Sequence, residues 1–543
     1  MRTRLIKKLK DLLVQSKKPR WGGKKPSVPP EPPQGGPDKV WESQELQGLE
    51  VFKDLQANLA LLRELFGYNT DFMVREFKVG QQKTPAALAY LLPLVKETKL
   101  DAYVLRSLIV EYPAETPVSL TSVKEHAITL ATVKDVSNFW EVTLNILDGN
   151  AVLFLSGGTG ALALDISEYK GREIAESLTE AVVRGPRDSF VESIERNAML
   201  IRRRIRTPNL VLERFHLGRL TQTAVVLGYI KGLAKPELLE EVRKRLKRID
   251  VDAVLSSNFI EEMIMDSPLS PFPQTLATER PDRVAASLVE GRVVLLVDNT
   301  PFALVVPATM PMLLQSSEDY YHPFMISTVV RWLRYLALVT SIIISPLYVA
   351  ITTFHQEMLP FELLLNIAGA REGVPFPAVI EALLLEGTFE LLREAGIRLP
   401  RPVGQAVSIV GALVIGQSAV AAGIVSPLMV IVVAFAGISS FATPSYELAI
   451  PMRMLRFPLI LLAGSLGLFG VTVGVLAIII HLAGLRSFGV PYLSPLTPLK
   501  LTELKDVLVR VPMWAMGTRP GASKRDWYRQ AAGLKPSPPP EES

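Results

Sequence analysis

YLALVTSIIISPLYVAITTF (residues 335–354) and FPLILLAGSLGLFGVTVGVLAIIIHLAGL (residues 457–485) contain no Asp, Glu, Lys or Arg. With GQAVSIVGALVIGQSAVAAGIV (404–425) and PLMVIVVAFAGISSFA (427–442) they make four clean apolar runs inside the block 324–485. Several reach the roughly 18–20 residues that span a bilayer. Soluble core helices rarely sustain such runs with Gly and Ser in place of a polar face, so the block predicts an α-helical polytopic membrane domain.

A passive anchor needs one apolar helix, and this block holds more than that. In 404–425, Ser408, Ala412 and Gly416 stand four residues apart, while Gln405, Gln417 and Ser418 fall at membrane depth. Small residues at that spacing let helices approach, and amides in lipid need a protein or aqueous neighbour. Tight packing and pore lining both satisfy the pattern. On the pore reading the lining residues are Ser408, Gly411, Val414, Ile415, Gln417 and Ser418, with Val414 or Ile415 forming a ring that closes by dewetting. The stretch 377–395 is an apolar helix carrying Glu381, Glu386 and Glu390. Such carboxylates either contact ions or belong to an interfacial or re-entrant helix paired with Arg371, Arg393 or Arg398.

Outward from the block, residues 1–39 read as a basic amphipathic arm and a Pro/Gly linker: the arm either lies on an anionic membrane or is solvated. Residues 40–131 read as a first α/β subdomain and 132–320 as a second, with 321–485 the membrane domain and 486–543 a cytoplasmic tail. The expected class is therefore an α/β cytoplasmic N-terminal domain in two subdomains followed by the polytopic membrane domain. An internal echo supports the second subdomain. DGNAVLFLSGGTGALALD (148–165) and EGRVVLLVDNTPFALVVP (290–307) are both strand, turn, strand, and two like hairpins are expected to share one sheet. Gly157, Gly158 and Gly160 do not make a phosphate loop, since no Lys-Ser/Thr follows. The Arg202–Arg204 cluster reads as a solvated face, a subunit interface or an acidic-lipid contact.

The 543 residues hold no cysteine, which excludes a disulfide framework and thiolate chemistry. The formal charge of +5 is explained by local basic segments and predicts no nucleic-acid partner. Five histidines are scattered, none with a plausible metal or nucleophile set, so neither catalysis nor a cofactor is expected.

The runs RGPRDSFVESIERNAMLIRRRIRTPNL, IDVDAVLSSNFIEEMI, SPFPQTLATERPD, EGRVVLLVDNTPFALVVP, REGVPFPAVIEALLLEGTFELLREAGIRLPRPVGQAVSIVGALVIGQSAV and LRSFGVPYLSPLTP resemble the A subunits of GerA-type spore germinant receptors over roughly residues 71–498. The paralogous stage V sporulation protein AF shares much of this pattern and stands as the alternative. The resemblance implies a subunit of a nutrient-triggered receptor in the inner membrane of bacterial spores. It also implies a pentameric homo-oligomer that conducts monovalent cations, with a permease-like B subunit and a lipoprotein C subunit as partners. Both termini are then cytoplasmic, which four clean spans satisfy if the region 357–395 is re-entrant or interfacial.

Overall fold

The computed structural model describes residues 39–113, 116–167, 177, 179–398, 416–501, 503–517 and 519. The N-terminal part is a mixed α/β domain built on two five-stranded antiparallel sheets. The first holds β1 (Phe72–Val79), β2 (Thr84–Leu91), β3 (Val133–Val136), β4 (Ala151–Leu155) and β5 (Ala161–Leu164) in the order β1-β2-β4-β5-β3. The second holds β6 (Leu210–Leu217), β7 (Thr223–Ile230), β8 (Leu276–Thr278), β9 (Val293–Val297) and β10 (Ala303–Val306) in the order β6-β7-β9-β10-β8. The two orders are the same topology.

The echoing hairpins therefore stand at equivalent places in two sheets, not together in one. β4 pairs with β2 through Ala86 and Leu155, and β9 pairs with β7 through Val225 and Val297. Leu153 faces Leu162 in the first hairpin as Leu295 faces Leu304 in the second. The division expected at 131/132 consequently cuts through the first sheet, because β3, β4 and β5 complete it. In both copies a helix ends on a glycine of positive φ, Gly149 at 90° and Gly291 at 82°, which turns the chain into the hairpin.

Both faces of each sheet are covered. α1 (Leu55–Phe66), capped by the Asp54 side chain accepting from the Gln56 N–H, and α2 (Phe139–Leu147), capped by Asn138, bury Leu62, Phe66, Phe139 and Ile146 against Ala87, Ala89, Val152 and Phe154. Leu88, Leu153 and Leu162 point the other way, into helical turns carrying Leu100, Val104 and Leu108. On the second sheet α3 (Ile194–Arg204) and α6 (Pro281–Val289) cover one face, and α4 (Pro236–Arg248) and α5 (Ser257–Ile264) the other. Arg202, fully buried, joins the halves: it bonds both oxygens of Asp71 at 2.9 and 3.0 Å, Asn69 Oδ1 at 2.6 Å and the Leu210 carbonyl at 2.9 Å. Arg202 is thus an internal joint, while Arg203 stays exposed and Arg204 pairs with Asp188.

Among the described residues two helices are long and apolar enough to cross a membrane, α7 (Phe324–Phe354) and α12 (Tyr446–Gly484). Between them lie α8 (Phe361–Arg371), α9 (Ala378–Arg398), α10 (Gly416–Ala421) and α11 (Pro427–Phe441), the last apolar but only 15 residues long. α12 is broken at Gly467, whose φ of 62° and ψ of −144° no helix contains. Its arms, about 31 and 25 Å long at ~1.5 Å per residue, fold back on one another. Leu448 and Met452 of the first arm share a core with Leu482 near the end of the second, and a Cβ on Gly474 would come within 2.4 Å of Leu459. The run 457–485, expected as one span, is thus a turn between two arms. α9 runs antiparallel to the first arm, Val379 lying at Gly464 and Glu390 at Arg453. It is a helix of 21 residues whose Ala378 and Ala382 share a core with Val349 of α7, Met429 and Val433 of α11 and Ile460 of the first arm.

Candidate functional site

The three carboxylates of α9 are spread over about 13 Å of helix, nine residues at ~1.5 Å each. Each has an arginine. Glu381, fully buried, lies 3.2 Å from Arg371 Nη2 and accepts the Ser426 N–H at 2.8 Å, at the start of α11. Glu386, 1% exposed, accepts from Ser345 Oγ of α7 at 2.7 Å and from Arg456 Nη1 of the first α12 arm. Glu390 pairs with Arg393 one turn on and lies 3.3 Å from Arg453 Nε. Of the expected partners Arg371 and Arg393 are realised, while Arg398 pairs with Glu394.

Three carboxylates here face four guanidinium groups. Nε and Nη1 of Arg393, Nε and Nη2 of Arg453 and Nε of Arg456 are buried without a hydrogen-bond partner. Arg453 and Glu390 are close as charges but misaligned as donor and acceptor. Such a ladder is costly in an apolar interior unless every charge keeps its partner, so displacing one helix against another would expose unpaired charge. It links α7, α9, α11 and α12, which makes it sensitive to their relative positions.

Of the pore-lining candidates, Ser408, Gly411, Val414 and Ile415 lie outside the described residues. Gln417 and Ser418 are exposed on the short helix α10. Among the described residues no group of three or more His, Cys, Asp or Glu side chains could hold a metal ion.

A second polar cluster sits where the α/β domain meets α7. Arg331, 1% exposed, donates from Nε to Asp319 Oδ2 at 3.0 Å and from Nη1 to Asp506 Oδ1 at 3.1 Å and the Asp506 carbonyl at 2.5 Å. Arg334 bonds both oxygens of Asp319 at 2.8 and 2.9 Å, and Tyr320 donates to Asp506 at 2.8 Å. The residues after the second α12 arm thus return to the domain and lie along α7: Trp332 Nε1 donates to the Leu508 carbonyl at 2.9 Å, and Thr328 Oγ1 accepts the Arg510 N–H at 3.2 Å. In the sequence Arg331, Arg453 and Arg456 are simply cations flanking apolar runs. An arginine within four residues of an apolar run looks like an ordinary interfacial cation; what distinguishes these is carboxylates distant in sequence.

The profile described as Bacillus/Clostridium GerA spore germination protein matches residues 60–522. An uncharacterized membrane protein of Bacillus subtilis (strain 168), YfkQ, is 43% identical over 90% of this chain and 94% of its own length. Spore germination protein KA of the same organism is 42% identical over 90% of each chain. The crystal structure of the N-terminal domain of the A subunit of the Bacillus megaterium spore germinant receptor GerK3 is 33% identical, covering 48% of this chain and 97% of that one, with a TM-score of 0.39. The profile match and the near full-length relatives establish that the chain belongs to the GerA family of spore germination proteins.

Proposed function

We propose that this chain is the A-type subunit of a nutrient-triggered spore germinant receptor, embedded in the spore inner membrane and assembled into a pentameric pore that passes monovalent cations. Its partners are then a permease-like B subunit and a lipoprotein C subunit. The observation that carries the reading is the charge ladder Glu381, Glu386 and Glu390 with Arg371, Arg393, Arg453 and Arg456 inside the apolar helices. A tethered scaffold needs no such network, whereas a protein whose helices must shift between two arrangements gains from a network that opposes intermediate ones.

The break at Gly467 supports a reading of the topology as well. We read α7, α9, α11 and the two arms of α12 as five passages; with both ends of the chain cytoplasmic a sixth is needed, for which the apolar run 404–425, mostly outside the described residues, is the sequence candidate. The four-span count reaches the same side, because this reading adds two passages to it, α9 and the arm beyond Gly467. Accessibility tags at Ala370 and at the C-terminus test it; labelling of both from one side overturns the six-passage arrangement.

Channel activity is tested by potassium release from liposomes holding the assembled full chain. On this reading Val414→Ala or Ile415→Ala raises resting leak, because a smaller ring wets more readily. No flux from a verified oligomer, in either variant, assigns the protein to a non-conducting role.

A further inference from the structure

A cavity of about 280 Å³ lies between the second sheet's side of the domain and the residues that follow α12. Lys235, Glu290, Arg292, Thr309 and Gln315 form one wall, and Ser494, Lys500, Glu503 and Asp506 belong to the other. Neither wall is complete alone.

Most of its charges are already committed. Glu503 is 3.2 Å from Lys500, and Asp506 is held by Arg331 and Tyr320. Lys235 is not, and Arg292 is only partly so, through an ion pair with Glu290. Arg292, 8% exposed, donates from Nη1 to the Pro307 carbonyl at 2.5 Å, but its Nε is buried without a hydrogen-bond partner, the nearest carboxylate oxygen being Glu290 Oε2 at 3.7 Å. Burial pushes the Arg292 guanidinium below its ordinary value, with Glu290 opposing. Lys235, half-buried just before α4, has no ionic partner among the described residues. A buried guanidinium N–H left unmet beside an unpaired ammonium is a costly arrangement that an anionic oxygen would relieve.

We propose that this cavity is a binding site for a small anion bearing a carboxylate or phosphate group, held by Arg292 and Lys235. The volume is at the small end of ligand pockets, suited to a metabolite-sized acid. The site goes beyond the conduction reading and does not depend on it. Its occupant would bridge the domain to the returning segment, and Asp506 and Gln315 belong both to its lining and to the contacts made by and beside Arg331. Binding would therefore tighten the segment against the first turns of α7.

The test uses the full chain in lipid nanodiscs, titrated with sodium phosphate and with sodium succinate against sodium chloride at matched ionic strength. Saturable thermal stabilisation by phosphate or succinate is expected, together with slower trypsin cleavage at Lys500 and Lys505; which anion acts identifies the group. Lys235→Met and Arg292→Gln should each weaken the response about tenfold or more, the loss of one charge-assisted hydrogen bond. Lys235→Met is the safer variant, since that side chain supports no ion pair. A response to both anions no larger than that to chloride, or one undiminished in Lys235→Met, overturns the proposal.

Discussion

Replacing Arg331 by Met should release the segment that returns from the membrane helices to the domain. The substitution keeps much of the side chain's bulk but removes three hydrogen bonds from a side chain 1% exposed, those to Asp319 Oδ2, Asp506 Oδ1 and the Asp506 carbonyl. Breaking a buried pair from one side costs about 3–5 kcal/mol. The lower end applies, because Asp319 keeps Arg334 at 2.8 and 2.9 Å and Asp506 keeps Tyr320 at 2.8 Å. A loss of about 3 kcal/mol is roughly a 150-fold rise in the open population. Limited trypsin digestion of the full chain in nanodiscs, read by mass spectrometry, reports it: cleavage after Lys505 and Arg510 follows the open fraction when reclosing is fast. Adding Asp506→Asn should recover about 1–3 kcal/mol of the loss, as coupled partners do. Unchanged cleavage in Arg331→Met, or strictly additive effects in the double variant, would refute the reasoning.

Glu386→Gln leaves Arg456 without its carboxylate, so it should lower thermal stability in detergent by about 3–5 kcal/mol, while Glu386→Gln with Arg456→Met should sit near wild type; equal stability of the single variant and wild type counts against the pair. Because of that stability cost, a conductance change in Glu386→Gln or Glu390→Gln bears on ion contact only where assembly is verified. Gly467→Ala should disrupt the fold-back, since φ there is 62° and a Cβ would lie 2.6 Å from the His355 ring; normal crosslinking between cysteines placed at Leu448 and Leu482 would show that the turn tolerates it. Glu261, on α5, is raised above its ordinary 4.5 by burial, partly offset by its bond from Thr275. The folded form then binds the proton more tightly than the unfolded one, so stability is greatest at low pH and this contribution is lost as pH rises above about 4.5. Glu261→Gln should accordingly raise the melting temperature at pH 7 more than at pH 4, and the reverse order would show the carboxylate to be stabilising.

The apolar runs announced the membrane part because length and lack of charge are local properties, and the hairpins at 148–165 and 290–307 were recognisable from their own residues. Their placement was not. Strands such as AVLFL and VVLLV are buried on both faces, so no alternation reveals which sheet they enter; the clue lies outside the hairpins, in β2 (TPAALAYL) and β7 (TAVVLGYI), which share Thr, Leu and Tyr at the same places. The break at Gly467 was hidden among Gly464, Gly470 and Gly474, all of which read equally well as packing residues; only the backbone tells the turn from the contacts. The acidic half of the ladder was visible in 377–395, since carboxylates in an apolar helix are conspicuous. Of its basic half Arg371 and Arg393 were visible beside it, but Arg453 and Arg456 were not, because Arg456 lies 70 residues beyond Glu386 and looks like a span's flank.

The chain leaves the α/β domain at Tyr321 and comes back to it at Phe488 and Tyr492, which are buried in the cores on opposite faces of the second sheet. Mechanically, everything from Phe324 to Gly484 is a handle riveted at both ends to one plate. A handle fixed in this way can twist or flex within itself, but it cannot be drawn off or slid sideways as a body. A push on the plate therefore reaches the outgoing α7 and the incoming second arm of α12 together, and the helices between them receive it as torque.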